Sequence, residues 1–191
     1  MTEQSGHREP PLVVVMGAAG SGKTVVGALL AERLDVPFID GEDHQPTQNL
    51  SRIVEGVSLT DDDRQPWLQA VADDLRARRG GGVVIGCSAL KAAHRDVLRN
   101  AAPEVFFLHL DVPRAVLANR LITRFAQCSP RTLLDDQMRA LEPLRDDEIG
   151  TRVDGDQKIE RVVRTALVAV TGGRASLPSR ERAEADADDI R

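Results

Sequence analysis

The chain contains no tyrosine, and its aromatic residues amount to four phenylalanines and one tryptophan among 191 residues. Aromatic platforms on which nucleic-acid bases stack are therefore scarce. Basic residues are not in excess either, since 25 lysines and arginines face 30 acidic residues and the net charge is −5. The sequence thus lacks the electrostatic footprint of a protein that binds nucleic acid or an anionic membrane, and we expect neither partner.

Cysteines and long apolar runs are also few. Cys87 and Cys128 form no C-x-x-C motif and no disulfide framework, which fits a reducing, cytoplasmic setting. No neighbouring pattern would activate Cys87, so we interpret it as a small core residue rather than a nucleophile. The first apolar run is too short for a membrane span or a signal peptide. A soluble cytoplasmic protein of one domain is expected from these features and from the chain length.

What the sequence does contain is a glycine-rich motif directly after an apolar segment. Residues 12–16 read LVVVM and residues 17–24 read GAAGSGKT, which matches the phosphate-loop pattern G-x-x-x-x-G-K-[ST]. Backbone N–H groups of such a loop bind phosphate oxygens. The predicted phosphate-binding residues are Gly17, Ala18, Ala19, Gly20, Ser21, Gly22, Lys23 and Thr24. Lys23 can reach the β- and γ-phosphates and the Thr24 hydroxyl can bind Mg²⁺, so we predict an ATP-type nucleotide and Mg²⁺ as ligands.

Apolar segments that alternate with helical patterns predict an α/β fold of three layers. Strands are predicted at 12–16, 36–40, 83–87, 105–110 and 151–154, and helices after the loop, from Thr60 to about 79, and at 89–100, 113–123, 131–141 and 159–170. Because the strands are continuously apolar, we expect a parallel sheet covered by helices on both faces. A single phosphate-loop domain is predicted over 11–171, between a flexible N-terminus at 1–10 and a disordered, charged tail at 172–191.

Polar residues follow the predicted strands at the edge of the sheet where ligands of such folds gather. Asp40 and Glu42 follow the second strand, and either can hold Mg²⁺-bound water or accept the proton of an attacking hydroxyl. The alternative is that both are solvated loop acids. Arg64, Lys91 and Arg95 are candidates for binding an anionic substrate, although any one of them alone is more typical of a surface charge.

A second group of candidates lies in the C-terminal half. Arg120 and Arg124 stand four residues apart before the irregular segment 125–130, where a small phosphotransferase would place a lid, here predicted over about 120–142. The alternative is a solvated helix face. Asp156 and Gln157 are predicted on the adenine side from their position alone. Of the four histidines none has metal-ligand spacing, and only His44 is a candidate for the site.

Four blocks of the sequence resemble the bacterial gluconokinases, small P-loop carbohydrate kinases related to shikimate and nucleoside monophosphate kinases. The blocks are GEDHQPTQN at 41–49, GVSLTDDDRQPWL at 56–68, CSALKAAHRDVLR at 87–99 and LLDDQMRALEPL at 133–144. The resemblance covers about residues 12–170. It implies the sheet order 2-3-1-4-5 and a Mg²⁺-dependent homodimer that transfers the γ-phosphate of ATP to the 6-hydroxyl of D-gluconate.

Carried over by position, the resemblance places Asp40 at the first acid of a D-[GA]-D element, Arg120 and Arg124 at the base of the lid, and a set of residues on the substrate side. That set is Asp40, His44, Arg64, Ser88, Lys91 and Arg95. The chain departs from the family pattern at Glu42, which replaces an aspartate, at Gln45, and at the lid tip 126–128. Two alternatives stay open at this stage: a kinase for another sugar acid or hydroxy acid, and a non-catalytic ATP-binding module.

Overall fold

The computed structural model describes residues 9–54, 59–124 and 130–172. Five parallel strands form one sheet in the order β2-β3-β1-β4-β5, which confirms the predicted fold class and strand order. The strands are β1 (Leu12–Met16), β2 (Phe38–Asp40), β3 (Val83–Gly86), β4 (Phe106–Asp111) and β5 (Gly150–Asp154). The helices are α1 (Lys23–Leu34), α2 (Thr47–Val54), α3 (Asp61–Ala77), α4 (Ala92–Ala101), α5 (Arg114–Arg124), α6 (Pro130–Ala140) and α7 (Ile159–Thr171).

The central strand β1 supplies side chains to hydrophobic cores on both faces of the sheet. Val14 and Met16 pack with Trp67 and other residues of α3 and α4. Val13 and Val15 pack on the opposite face with residues of α1 and α7, including Leu30. Successive strand residues point to opposite faces, so a strand covered on both sides must be apolar at every position. This is why β1 has no polar residue, and why the polar phosphate motif begins only where the strand ends.

Helix α3 begins with a capping box formed by Thr60 and Asp63. The Thr60 hydroxyl accepts from the Asp63 N–H, and the Asp63 carboxylate accepts from the Thr60 N–H at 2.8 Å. The Trp67 indole N–H donates to the Gly41 carbonyl at 2.6 Å and ties α3 to the short 3₁₀ turn Gly41–His44. Helix α3 therefore fixes the segment that follows β2.

Two local predictions were incomplete. The polar stretch after β2 contains helix α2, which is held by a tertiary contact, since the Asn49 side-chain amide donates to the Asp63 carbonyl at 2.7 Å. Helix α4 begins at Ala92 rather than Ala89, because Ala89 adopts a positive φ of 41° and Lys91 is extended. The chain at 88–91 is thus a loop at the carboxyl end of β3.

Several boundary predictions concern residues outside the described ranges. The N-terminal prediction for 1–10 and the tail prediction for 172–191 fall almost entirely there, as does the lid tip at 126–128. The described parts of the predicted lid are the end of α5 and the whole of α6. Within the described ranges, no helix combines the length and the apolar character that crossing a bilayer requires.

Candidate active site

The phosphate loop, residues 17–24, turns at the carboxyl end of β1 into the N-terminus of α1. Gly17, Gly20 and Gly22 have φ angles of 142°, 81° and 97°, which residues with side chains rarely adopt. A Cβ atom at Gly17 would also lie only 2.9 Å from the Leu110 carbonyl oxygen. Because backbone and space both require glycine there, the loop can present its N–H groups together at the helix terminus, where an anion is favoured.

The side chains of Lys23 and Ser21 lie within the phosphate loop and differ in their hydrogen bonding. The Lys23 ammonium donates to the carbonyls of Gly17 and Ala18 at 3.1 and 3.2 Å, so the side chain folds back over the loop. Ser21 Oγ is buried, and among the described residues it is the one buried side-chain polar atom without a hydrogen-bond partner. An unsatisfied buried hydroxyl is costly unless a ligand pairs with it. The loop chemistry therefore fits a phosphate group.

Thr24 and Asp40 form an oxygen-rich corner beside the loop. The Thr24 hydroxyl donates to Asp40 Oδ2 at 2.8 Å, which leaves the hydroxyl lone pairs open to a cation. Asp40 Oδ1 accepts the Glu42 N–H at 3.1 Å and so caps the 3₁₀ turn. Within the described residues no group of three or more His, Cys, Asp or Glu side chains surrounds a possible metal. One hydroxyl and one carboxylate fit Mg²⁺, which commonly relies on phosphates and water for its other ligands.

Glu42 lies on the 3₁₀ turn between this corner and the substrate side. Its side chain reaches solvent, yet the packed surroundings raise its pKa above the ordinary value of 4.5; the Lys23 ammonium opposes that rise and the Asp40 carboxylate adds to it. Arg64 is a further charge acting on Glu42. A carboxylate with a raised pKa beside the phosphate-binding lysine is suited to accept a proton.

A pocket of about 100 Å³ lies on the other side of Arg64, and we call it the acceptor pocket. It combines two cations, two acids and polar groups from three helices and the loop at 88–91. Its lining residues are Leu59, Asp61, Arg64, Leu90, Lys91, His94, Asp136, Gln137 and Ala140. The structure therefore brings together two of the three predicted anion-binding residues, Arg64 and Lys91, in a space suited to a small anionic molecule with hydroxyl groups.

Asp61 organises the polar wall of the acceptor pocket. Its carboxylate binds Lys91 Nζ at 2.7 and 2.8 Å and lies 3.3 Å from His94 Nε2. The hydrogen bond from Lys91 lowers the pKa of Asp61, and burial lowers the pKa of His94. At neutral pH the wall is therefore an anionic carboxylate between an ammonium and a neutral imidazole. Such a wall can exchange hydrogen bonds with hydroxyl groups as well as with a carboxylate.

The structure does not support the prediction that Arg95 binds substrate. Its side chain is 0% exposed, and its guanidinium makes a bidentate ion pair with Glu148 at 2.7 and 2.9 Å. The remaining N–H groups donate to backbone carbonyls of Ala89, Leu90, Glu142 and Pro143. With every donor engaged inside the protein, Arg95 holds the loop at 88–91 and the segment after α6 in place. The helical spacing on α4 did not reveal this burial.

Arg120 joins the phosphate loop to the loop after β5. Its guanidinium donates to the Gly20 carbonyl at 3.4 Å and to the Gly155 carbonyl and Asp156 Oδ1 at 3.3 Å. Gln157 donates to Asp154 at 2.7 Å in the same loop. These contacts place Arg120 beside the phosphate loop and Asp156 beside Arg120, while their predicted roles stay predictions. Arg124 is the last residue of α5, and the structure does not describe its side chain.

Other predicted residues have structural contacts. His44 Nε2 lies 2.6 Å from Asp74 of α3, and this contact does not support its predicted substrate role, which stays a prediction. The Ser88 carbonyl accepts the Gly17 N–H at 3.4 Å, so Ser88 lies against the phosphate loop. Cys87 is completely buried, and burial raises the pKa of its thiol to about 12, as expected of a core residue rather than a nucleophile.

Sequence reasoning missed Asp61, His94 and Gln137 as site residues. The Gln137 side-chain carbonyl accepts the Ala19 N–H at 2.7 Å, and Gln137 also lines the acceptor pocket. Its block, LLDDQMRALEPL, was noticed only as part of the resemblance. Asp61 was interpreted as part of a helix start, since three successive aspartates follow Thr60. The sequence pattern of an amphipathic helix does not show which loop one of its polar residues will contact.

Comparisons with known proteins agree with this geometry. The family model described as Shikimate kinase matches residues 19–165. The thermosensitive gluconokinase of Escherichia coli is 36% identical over 168 residues, with 84% of this chain and 89% of that protein covered. The gluconokinase of Gluconobacter oxydans is 40% identical, with 78% and 85% covered. The crystal structure of a gluconokinase from Sinorhizobium meliloti is 41% identical, with a TM-score of 0.79 and 86% and 94% covered.

Proposed function

This chain belongs to the gluconokinase family, and from that premise we propose that it transfers the γ-phosphoryl group of ATP to D-gluconate, giving 6-phospho-D-gluconate. The observation that carries the proposal is the acceptor pocket, in which Arg64 and Lys91 face a small space that touches the phosphate loop through Gln137. Kinases of this family use ATP. The two alternatives from the sequence, another acceptor and a non-catalytic module, are not favoured, because several gluconokinases match over most of the chain.

The reaction would proceed by in-line displacement at the γ-phosphorus. The phosphate-loop N–H groups and Lys23 bind the phosphate oxygens and neutralise the charge that moves to them. Thr24 and Asp40 would hold Mg²⁺, which supplies a positive charge that polarises the phosphate oxygens. Arg64 and Lys91 bind the gluconate carboxylate, so that the hydroxyl at the far end of the acceptor points toward the loop. Glu42 accepts the hydroxyl proton as the new phosphorus–oxygen bond forms.

The test of the activity is ADP release by the purified protein with ATP, Mg²⁺ and D-gluconate. A rate that depends on gluconate, with little release without acceptor or with shikimate, is the expected result. Mass spectrometry of the product distinguishes 6-phosphogluconate from other isomers. Equal rates with and without gluconate, in a protein that binds ATP by titration, would contradict the proposal.

Substitutions of Glu42 and Asp40 distinguish the role of the general base from that of the Mg²⁺ ligand. Glu42→Gln is expected to lower kcat by about 10²- to 10⁴-fold, the usual value of a general base. Asp40→Asn is expected instead to raise the Mg²⁺ concentration needed for half-maximal rate, because Asp40 bonds Thr24. Asp43→Asn, an exposed acid on the same turn, is the matched control. Retention of full activity by Glu42→Gln would assign the base to Asp40.

The raised pKa of Glu42 gives the same variant a second signature. A group whose pKa is raised by folding stabilises the native state when protonated, and this contribution is lost as pH rises through the folded-state pKa. Glu42→Gln is therefore expected to melt at or above the wild-type temperature at pH 7, with the difference vanishing below about pH 4.5. Thermal melts of both proteins from pH 4 to 8 measure this. A variant that is less stable at pH 7 would indicate a structural role for Glu42.

The homodimer implied by the resemblance and the cytoplasmic location expected from the sequence composition belong to this proposal. Sedimentation velocity on the purified chain measures the assembly directly. The expected mass is twice the 20.8 kDa of the chain.

A further inference from the structure

Gln137 touches both halves of the proposed site. Its side-chain carbonyl accepts the Ala19 N–H at 2.7 Å, and its side chain lines the acceptor pocket beside Lys91 and Asp136. Ala19 is the third residue of the phosphate loop. Gln137 therefore lies between the phosphate loop and the acceptor pocket.

The bond from Ala19 to Gln137 competes with nucleotide binding. A phosphate loop works by donating its backbone N–H groups to phosphate oxygens, and a single N–H makes one good hydrogen bond. An amide carbonyl and a phosphate oxygen therefore exclude one another at Ala19. A phosphate oxygen is the stronger acceptor because it is charged. ATP can displace Gln137, at the cost of one hydrogen bond.

Helix α6 does not depend on this bond for its position. Leu134 and Met138 pack with Ala18, Leu117 and Leu121 in a hydrophobic cluster against the phosphate loop and α5. Arg114 of α5 binds Asp135 at 2.8 Å through its Nε. Because apolar packing and an ion pair hold α6, the Gln137 side chain can change partners while the helix stays in place. The amide then lies free beside the acceptor pocket.

We propose that Gln137 is a positioning residue that exchanges partners during the reaction: it holds the Ala19 N–H before ATP binds and hydrogen-bonds acceptor hydroxyls after the terminal phosphate has taken that N–H. A primary amide suits both tasks, since it accepts from an N–H and can also donate to or accept from a polyol. Through this exchange, ATP binding makes the Gln137 amide available to the acceptor hydroxyls. This inference rests on the proposed sugar-acid kinase function.

The first test is Gln137→Ala, with a non-hydrolysable ATP analogue and Mg²⁺ in titration calorimetry. Removal of the competitor is expected to tighten nucleotide binding by about two- to tenfold, the value of one hydrogen bond. The KM for gluconate in steady-state kinetics is expected to rise by about the same factor, because the acceptor loses a partner. A higher nucleotide affinity together with a higher KM for gluconate is expected of a residue that exchanges partners. Loss of a purely structural residue would instead lower the nucleotide affinity as well as raise the KM.

The second test is Gln137→Glu, which reverses the effect on the nucleotide. A carboxylate binds the Ala19 N–H more strongly and repels phosphate, so nucleotide affinity is expected to fall by about tenfold or more. Arg164→Ala, an exposed change on α7, is the control and should leave both constants unchanged. The proposal is overturned if Gln137→Ala binds the analogue no more tightly than wild type, or if both Gln137 variants shift the affinity in one direction.

The outcomes of the nucleotide titrations are independent of whether gluconate is the acceptor. The nucleotide titration contains no acceptor, so a failure there concerns Gln137 alone. A wild-type enzyme without gluconate-dependent ADP release would instead refute the proposed function, whatever the affinity of the Gln137 variants for nucleotide.

Discussion

Lys23→Ala is expected to lower kcat by about three orders of magnitude while the protein keeps its fold. The ammonium is the one phosphate-loop side chain that carries a positive charge to the transferring group, and removal of such preorganised charge costs about 10²- to 10³-fold or more. The fold should survive because the Lys23 ammonium bonds loop carbonyls at 3.1 and 3.2 Å and belongs to none of the hydrophobic clusters. Coupled ADP assays and circular dichroism melts measure the two effects.

A matched control separates the loss of this charge from the loss of any cation. Arg164→Ala removes an exposed positive charge from the middle of α7 and should leave kcat within a factor of two. Lys23→Arg keeps the charge but enlarges the head group, so it should recover only part of the rate. If Lys23→Ala turned over at the wild-type rate, the assignment of residues 17–24 as the phosphate site would be contradicted.

Arg95→Met is expected to destabilise the protein by about 3–5 kcal/mol, because it leaves the Glu148 carboxylate buried without its partner. For a chain of this size the melting temperature should fall by roughly 10 °C. Burial acts to raise the pKa of Glu148, but the hydrogen bonds and positive charges of Arg95 and Arg145 together outweigh it and the pKa is lowered. A lowered pKa stabilises the fold above the unfolded-state pKa, and this stability is lost as pH falls through the folded-state pKa.

The deficit of Arg95→Met should therefore be largest near neutral pH and shrink in acid. Urea titrations at pH 7 and pH 4 measure it, with Arg76→Ala as control, since that exposed i,i+3 pair with Asp73 should contribute less than 1 kcal/mol. The double variant Arg95→Met with Glu148→Met should recover part of the loss, because no charge stays buried. A variant with normal stability and a raised KM for gluconate would restore Arg95 to the substrate site.

The sequence predicted the phosphate loop and the sheet for a common physical reason. Both are local: an apolar segment buried on two faces can only be an interior strand, and G-x-x-x-x-G-K-[ST] after such a strand specifies backbone shape as well as side chains. The order of the strands came instead from the resemblance. The same holds for the substrate side, where the blocks at 56–68 and 87–99 were recognised before any contact was known.

What sequence reasoning missed depended on contacts between distant segments. Arg95 and Arg99 lie one turn apart on α4, yet one is fully buried and the other pairs with Asp147 at the surface. Nothing in their spacing distinguishes them, because the burial of Arg95 is set by Glu148, 53 residues away. Gln137 meets Ala19 across 118 residues. Long-range pairing of this kind has no periodic signature in a single sequence.

The Arg95 guanidinium also constrains how acceptor choice can diverge among related chains. It binds the carbonyls of residues 89–90 in the loop at 88–91 and those of residues 142–143 after α6, so both segments share one anchor. A change that moves either backbone moves the anchor of the other, and mutational effects in the two are non-additive. Side chains that line the pocket without bonding the guanidinium, such as those of Lys91 and Gln137, are not subject to this coupling through Arg95.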